Sequence, residues 1–259
     1  MHGSRYARLL ACVAGFILVL AGTAQAASND EIQVYDDATN KPGELGVDVH
    51  TNYVASGLKT PQWAGDSPSN HSWRATPEFN YGISQGWDAG LYLPFLLEAN
   101  GAKHIEGAKV RLKFVSAPSD SAFYWGINEE LGRTSLRSNE DYWNLEIRPI
   151  LGYRMARWHF TLNPVVGFGL SGPGHSGTDF SPSFRIKYEL RENLGFGVEH
   201  YAGLGNPFSP SPYEQQTENT YLFVDTEVAG HALNFGVGKG WTAASDQWTI
   251  KAIIGTRFN

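Results

Sequence analysis

From position 45 to the end of the chain, apolar and polar residues alternate with a period of two. Leu45, Val47, Val49, Thr51, Tyr53 and Ala55 alternate with Asp48, His50 and Asn52; Trp73, Ala75, Pro77, Phe79, Tyr81 and Ile83 alternate with Arg74, Thr76, Glu78 and Asn80. Trp87, Ala89, Leu91, Leu93, Phe95 and Leu97 follow against Asp88, Gly90 and Tyr92, and then Ala108, Val110, Leu112 and Phe114 against Lys109, Arg111 and Lys113. Successive side chains of a strand point to opposite faces, so each stretch predicts a strand with one apolar and one polar side. The pattern continues through Phe123 to Leu131, Trp143 to Leu151, Trp158 to Phe168, Phe180 to Leu190, Leu194 to Leu204, Thr220 to Val228, Leu233 to Trp241 and Trp248 to Phe258, giving twelve predicted strands.

The connections alternate in length as well. Ser84-Gln85-Gly86, Ala117 to Ser121, Arg154 to Arg157, Arg191 to Asn193 and Ala229 to His231 are short. Between them lie longer polar, Gly- and Pro-rich stretches: Gly57 to Ser72, Glu98 to Glu106, Gly132 to Glu140, Ser171 to Asp179, Gly205 to Glu218 and Thr242 to Gln247. Short turns at one end and long loops at the other are the habit of an outer-membrane barrel, with an even strand count placing both termini on the periplasmic side.

No helix competes with this reading, because the longest strongly apolar run, Leu91 to Leu97, falls far short of the roughly 18 to 20 residues a spanning helix needs. Hydrocarbon supplies no hydrogen-bond partner, so a sheet that crosses it must close on itself. The fold expected is therefore all-β, a 12-stranded antiparallel transmembrane β-barrel over residues 44–259. With odd strands rising, Trp87, Phe123, Trp158 and Phe258 fall at the periplasmic rim, and Tyr53, Trp73, Phe95, Trp143, Phe168, Phe180, Trp241 and Trp248 at the outer rim, where aromatic belts belong. A soluble sandwich also alternates, but it has no need of outward rings gathered at strand ends. Pro77, Pro94, Pro149, Pro164 and Pro182 interrupt the predicted strands and predict bulges or breaks, since each removes a ladder donor.

The first 26 residues read as an export signal: Arg5 and Arg8, an apolar stretch from Leu9 to Leu20, then Ala24-Gln25-Ala26. Cys12 stands before most of that apolar run, so lipidation is not expected, and cleavage removes the only Cys. The 233 residues then remaining of 259 carry 18 Lys and Arg against 26 Asp and Glu, a net −8 that argues against nucleic-acid binding. Residues 27–43, with Asp30, Glu31, Asp36 and Asp37, read as a solvated periplasmic arm, although such a segment could also fold inward as a plug.

Gly43-Glu44-Leu45 through Tyr53, Glu78-Phe79-Asn80-Tyr81-Gly82, Leu91-Tyr92-Leu93-Pro94-Phe95 and Lys109-Val110-Arg111-Leu112-Lys113-Phe114 resemble the MetA-pathway of phenol degradation family of outer-membrane β-barrel proteins. The resemblance covers about the first third of the chain after the signal. It implies an outer-membrane channel, in some members associated with aromatic compounds. The C-terminal alternation ending in Phe258 resembles the signal read by the barrel assembly machinery, with Asn259 as one extra residue.

The polar faces give nine inward cations (Arg74, Lys109, Arg111, Lys113, Arg148, Arg185, Lys187, Lys251, Arg257) and nine inward carboxylates (Asp48, Glu78, Asp88, Glu130, Glu146, Glu189, Glu199, Asp225, Glu227), so no strong charge selectivity follows. Lys109, Arg111 and Lys113 form a local cationic ladder that could attract an anion or pair with Asp88 and Glu130. Gly167, Gly169, Gly195, Gly197, Gly236 and Gly238 leave a wall without side chains, and Tyr92, Tyr124, Tyr142, Tyr201 and Tyr221 add rings, predicting a wide, partly aromatic lumen. The lumen-lining binding candidates are Lys109, Arg111, Lys113, Arg74, Glu78, Tyr92, Arg185 and Glu199. The function expected is an outer-membrane channel for small organic solutes, including aromatic or hydrophobic compounds, with outer-membrane lipids and the assembly machinery as its other partners. A lipid-modifying hydrolase is the alternative class, given His159 beside Thr161 and Asn163 and the loop pair His175-Ser176; a structural or interaction barrel with a plugged lumen is the third. His200, beside Glu199, turns outward. No metal-spaced cluster or phosphate loop appears, so no enzyme activity and no cofactor is expected.

Overall fold

A computed structural model describes residues 30–117, 121–173, 175 and 177–258. The expected signal (residues 1–26), Ser176 and Asn259 lie outside the described residues. The strands are β1 (Leu45–Ser56), β2 (Trp73–Ser84), β3 (Trp87–Tyr92, resuming at Phe95–Leu97), β4 (Lys103–Ile105, resuming at Gly107–Ser116), β5 (Phe123–Thr134), β6 (Trp143–Met155), β7 (Trp158–Ser171), β8 (Thr178–Arg191), β9 (Leu194–Gly203), β10 (Thr217–Val228), β11 (His231–Gly240) and β12 (Trp248–Phe258). Each pairs antiparallel with its neighbour in sequence, and β1 pairs with β12 from Leu45 opposite Phe258 to Ser56 opposite Trp248. That last ladder closes the cylinder and leaves no open edge. It also sets both ends of the sheet on one rim, as expected.

Register puts the apolar face outward. On β10, Tyr221 and Phe223 are buried inside while Leu222, between them, is 68% exposed on the outer wall. Outward rings meet across strands near the short-turn end: Trp87 lies 4.8 Å from Phe114 and Phe114 5.5 Å from Trp125, while Trp158 meets Tyr188 at a tilt, 4.9 Å between centroids. At the other end Tyr53 sits opposite Trp73, and Lys239 reaches over the rings of Trp241 and Trp248. The tight turns use left-handed residues where the strand twist needs them, as at Ala229 (φ 52°) and Gly230 (φ 80°).

The prolines explain the irregularities. Pro94 interrupts β3, and the gap is bridged by Leu93 N–H to the Pro77 carbonyl at 3.1 Å and Glu106 N–H to the Pro94 carbonyl at 2.8 Å. Lys103–Ile105 pairs back onto Phe95–Leu97, so the loop expected from Glu98 to Glu106 shrinks to residues 98–102. Between β6 and β7 the pairing lapses from Ile147 opposite Val166 to Leu151 opposite Leu162. Pro149 and Pro164 face each other inside that gap, and neither has an N–H to give. Pro182 stands opposite Pro164 on β8, which sets the three prolines at one height in the outer wall.

Candidate functional site

Residues 30–43 run up the inside of the barrel, which corrects the expected solvated periplasmic arm. The reason is charge and shape complementarity: the arm's carboxylates meet the inward cations, and its few apolar residues find the little apolar surface inside. Asp30 pairs with Lys109 at 2.9 Å and Glu31 lies 3.6 Å from the same ammonium. Lower on the same strand Lys113 donates to the Ala38 carbonyl at 2.7 Å. On the opposite wall Asp36 pairs with Arg185 at 2.9 Å, and Lys251 donates to the Ile32 carbonyl at 2.9 Å. Arg148 donates to the Gln33 carbonyl at 2.9 Å, and Arg154 pairs with Asp37.

Tyr35 is the centre of this plug. Its N–H donates to Asn163 Oδ1 at 2.7 Å, and Asn163 Nδ2 donates back to its carbonyl at 3.0 Å. Its hydroxyl donates to Glu31 at 2.5 Å and accepts from the Tyr92 hydroxyl at 2.6 Å. Three cations approach its ring: Arg148 at 4.6 Å, Lys113 at 5.3 Å and Arg111 at 5.8 Å from the centroid. Val115, Tyr124 and Ile150 complete a small apolar cluster around it. The arm makes none of the strand ladders that build the wall; side chains hold it.

All eight candidate lumen residues are inward and buried. Arg111 binds Glu78 at 2.5 Å and also Asp88; Lys113 lies 3.5 Å from Asp88, and Lys109 3.5 Å from Glu130. The cationic ladder is thus paired by wall carboxylates, by the arm, or by both. His50 adds a contact to Glu78 at 3.1 Å. Across the lumen Glu199 gathers Lys251, Arg185 at 3.3 Å and the Tyr201 hydroxyl at 2.8 Å. Arg74 alone of the eight stands outside these clusters, near the external end. Tyr35, Asn163 and Arg154 are the functional residues that strand patterning missed or assigned elsewhere.

Five of the six inward glycines do not leave empty space, contrary to the wide lumen expected from them; only at Gly167, with Asp179 Cβ 3.9 Å from an added Cβ, is there room. A Cβ on Gly238 would meet the Tyr221 ring at 2.3 Å, one on Gly236 the Lys251 chain at 3.1 Å, and one on Gly197 the Phe223 ring at 2.9 Å. Gly195 lies under Lys187, and Gly169 under Asp141. Gly238, Gly236 and Gly195 are shelves across which a long neighbour lies flat. Tyr142, expected inside, is exposed beside the external loops.

Above the plug is a cavity of about 280 Å³ between the long loops. Ile32 of the arm forms part of its floor, and Trp63, Asp66, Arg74, Arg137, Tyr221 and Asp246 are among its walls. Trp63 is fixed by its indole N–H on the Leu136 carbonyl at 2.7 Å. Burial pushes the Asp66 carboxyl up to about 6.

Among the hydrolase candidates, the three on β7 are held by structural contacts. His159 faces Glu189 at 3.4 Å, Thr161 bonds the Tyr124 hydroxyl at 2.8 Å, and Asn163 clamps the arm. His200 lies on the outer face as expected, held by Thr220 at 2.9 Å and Glu218 at 2.7 Å. Among the described residues no group of His, Cys, Asp and Glu is arranged to hold a metal.

No protein-family model and no curated protein matches the sequence. Among solved structures the chain is similar to the COG4313 outer membrane channel from Pseudomonas putida F1, at 11% identity over 88% of this chain and 100% of that one, TM-score 0.58. It is also similar to the NanC porin (9% identity, 82% and 99% covered, TM-score 0.55) and the KdgM porin (11% identity, 83% and 98% covered, TM-score 0.53). At these identities the likeness shows the shared fold, a closed barrel of the outer-membrane type.

Proposed function

We propose that the protein is an outer-membrane channel for small organic solutes, closed in its resting state by residues 30–43, and not an enzyme. The observation that carries this reading is how the arm is held. A permanent filling needs only wall side chains. Here a separate segment without ladder pairing sits on the lumen axis, fixed by side chains such as Asn163, Arg148, Lys251 and Lys113. Such a segment moves without breaking the wall, because the β1 to β12 closure does not depend on it. A solute gathered in the external cavity would pass as the arm withdraws toward the periplasmic rim, where Gly43 and Glu44 tie it to Gly82.

The likeness to channels and porins supports the reading at the level of fold, and the resemblance to the MetA-pathway of phenol degradation family is the basis for including aromatic compounds among its solutes. Planar-bilayer recording of the full chain and of a chain lacking residues 30–40 tests it. The full chain is expected to be nearly silent and the shortened chain to conduct. A folded barrel that stays closed without its arm would instead favour a structural or interaction role.

A further inference from the structure

The external cavity contains a buried guanidinium that is almost unused. Arg74, on β2, is 4% exposed and lines the cavity. Its Nη1 makes one long hydrogen bond, 3.4 Å to Ser72 Oγ, and its Nε has no partner. No carboxylate pairs with it among the described residues, whereas Lys109, Arg111, Lys113, Arg148, Arg185, Lys251 and Arg257 are all paired. A buried charge without a contact ion pair is costly, so a site that keeps one is poised for an incoming partner.

The carboxylates around the cavity are already engaged. Asp246 accepts from the Ser69 hydroxyl and from Leu58 N–H at 3.2 Å, and Asp66 accepts from Gln62 N–H at 2.8 Å. Glu140 also has its contacts, and Arg137 is bound to Glu106 at 3.0 Å. Arg74 is thus the cation of the described lining without a contact ion pair, and Asp66, which feels its charge, is held by a neutral donor. Val54, Leu58, Trp63 and Tyr221 supply apolar surface beside it.

We propose that this cavity binds small organic monocarboxylates, with Arg74 receiving the carboxylate and the Trp63, Leu58 and Val54 surface receiving the hydrocarbon body. About 280 Å³ accommodates a single-ring acid. The neighbouring Asp66, Asp246 and Glu140 oppose any added negative charge, so one carboxylate seated against Arg74 is compensated and a second is not. This names the solute class of the proposed channel and rests on that reading only for its purpose, since binding is measured without transport.

The test is calorimetric titration of the full chain, folded in detergent micelles, with benzoate, benzamide and benzylammonium. Benzoate is expected to bind one site at least about tenfold more tightly than benzamide, the scale of one charge-assisted hydrogen bond. Arg74→Gln is expected to erase that difference, and Arg74→Lys to keep part of it. Benzoate binding no tighter than benzamide overturns the proposal, as does stronger binding of benzylammonium or an Arg74→Gln barrel with unchanged benzoate affinity. Altered mobility of the unheated protein in detergent gels confirms that the variants fold, and the comparison of the three probes on the unaltered chain stands without any variant. A full chain that binds benzoate, together with a folded barrel lacking residues 30–40 that still does not conduct, would refute the channel reading and leave the site intact.

Discussion

Deleting residues 30–40 removes four carboxylates from the lumen: Asp30 and Glu31 from Lys109, Asp36 from Arg185, and Asp37 from Arg154. Once the lumen fills with water, each charge about 5 Å from a permeating ion is worth about 0.8 kcal/mol at the dielectric constant of water, so four amount to about 3 kcal/mol. Half a Debye length of screening at about 0.1 M salt reduces this to about 2 kcal/mol, or about 30-fold in the partitioning of a small anion. The shortened barrel is therefore expected to conduct with a preference for chloride over potassium, read as the sign of the reversal potential across a potassium chloride gradient. Replacing Lys109, Arg111 and Lys113 together by Gln in the shortened barrel is expected to cancel the preference, because Glu78, Asp88 and Glu130 then stand unopposed. A shortened barrel that conducts with cation preference would refute the assignment of the arm's carboxylates as counter-charges of Lys109, Arg185 and Arg154.

Three further outcomes follow from the same contacts. Tyr35→Ala removes a ring covered by three cations and leaves the Tyr92 hydroxyl without that partner; a buried aromatic truncation costs about 3–5 kcal/mol, so the arm is expected to become cleavable by added protease while the barrel keeps its gel mobility. Leu222→Arg, at the middle of an outward apolar face, is expected to lower folding stability in vesicles by about 2–4 kcal/mol by urea titration, whereas a stability within about 0.5 kcal/mol of the unaltered chain would argue that water bathes that face. Asp66 is charged above a pKa of about 6 and neutral below it, and it shares the cavity with Arg74, Arg137, Glu140 and Asp246. Benzoate, with an ordinary carboxyl pKa of about 4, stays ionised as the pH falls from about 7.5 to about 5.5, so its binding is expected to tighten severalfold over that range and to lose this dependence in Asp66→Asn.

The wall was legible because its signal repeats. Trp248, Ile250 and Ala252 alternate with Thr249 and Lys251 in the last strand, and the same period recurs in the others. The proline effects were legible in kind but not in place, since only the register shows that Pro149, Pro164 and Pro182 line up across three strands. The plug was not legible, because Ile32, Val34 and Tyr35 are too few to make a period and the carboxylates around them read as solvated. The signal available was complementarity: an acidic segment next to a barrel with Lys109, Arg111 and Lys113 on one inward face. Inward glycines misled for a related reason. A missing side chain says that space exists at that point, and only the neighbours decide that Tyr221, Lys251 and Phe223 take it.

The account turns on the arm lying inside the barrel, and the accessibility of a thiol on it reads that position directly. Val34→Cys in the full chain puts a small side chain at an arm position that is 1% exposed and leaves the Tyr35 and Asn163 contacts in place, and the only natural cysteine, Cys12, lies in the expected signal. In isolated outer membranes residue 34 is expected to resist a bulky, membrane-impermeant maleimide supplied from the periplasmic side, and to react once the barrel is denatured. Labelling of residue 34 in the folded barrel as fast as in the denatured chain would contradict the account.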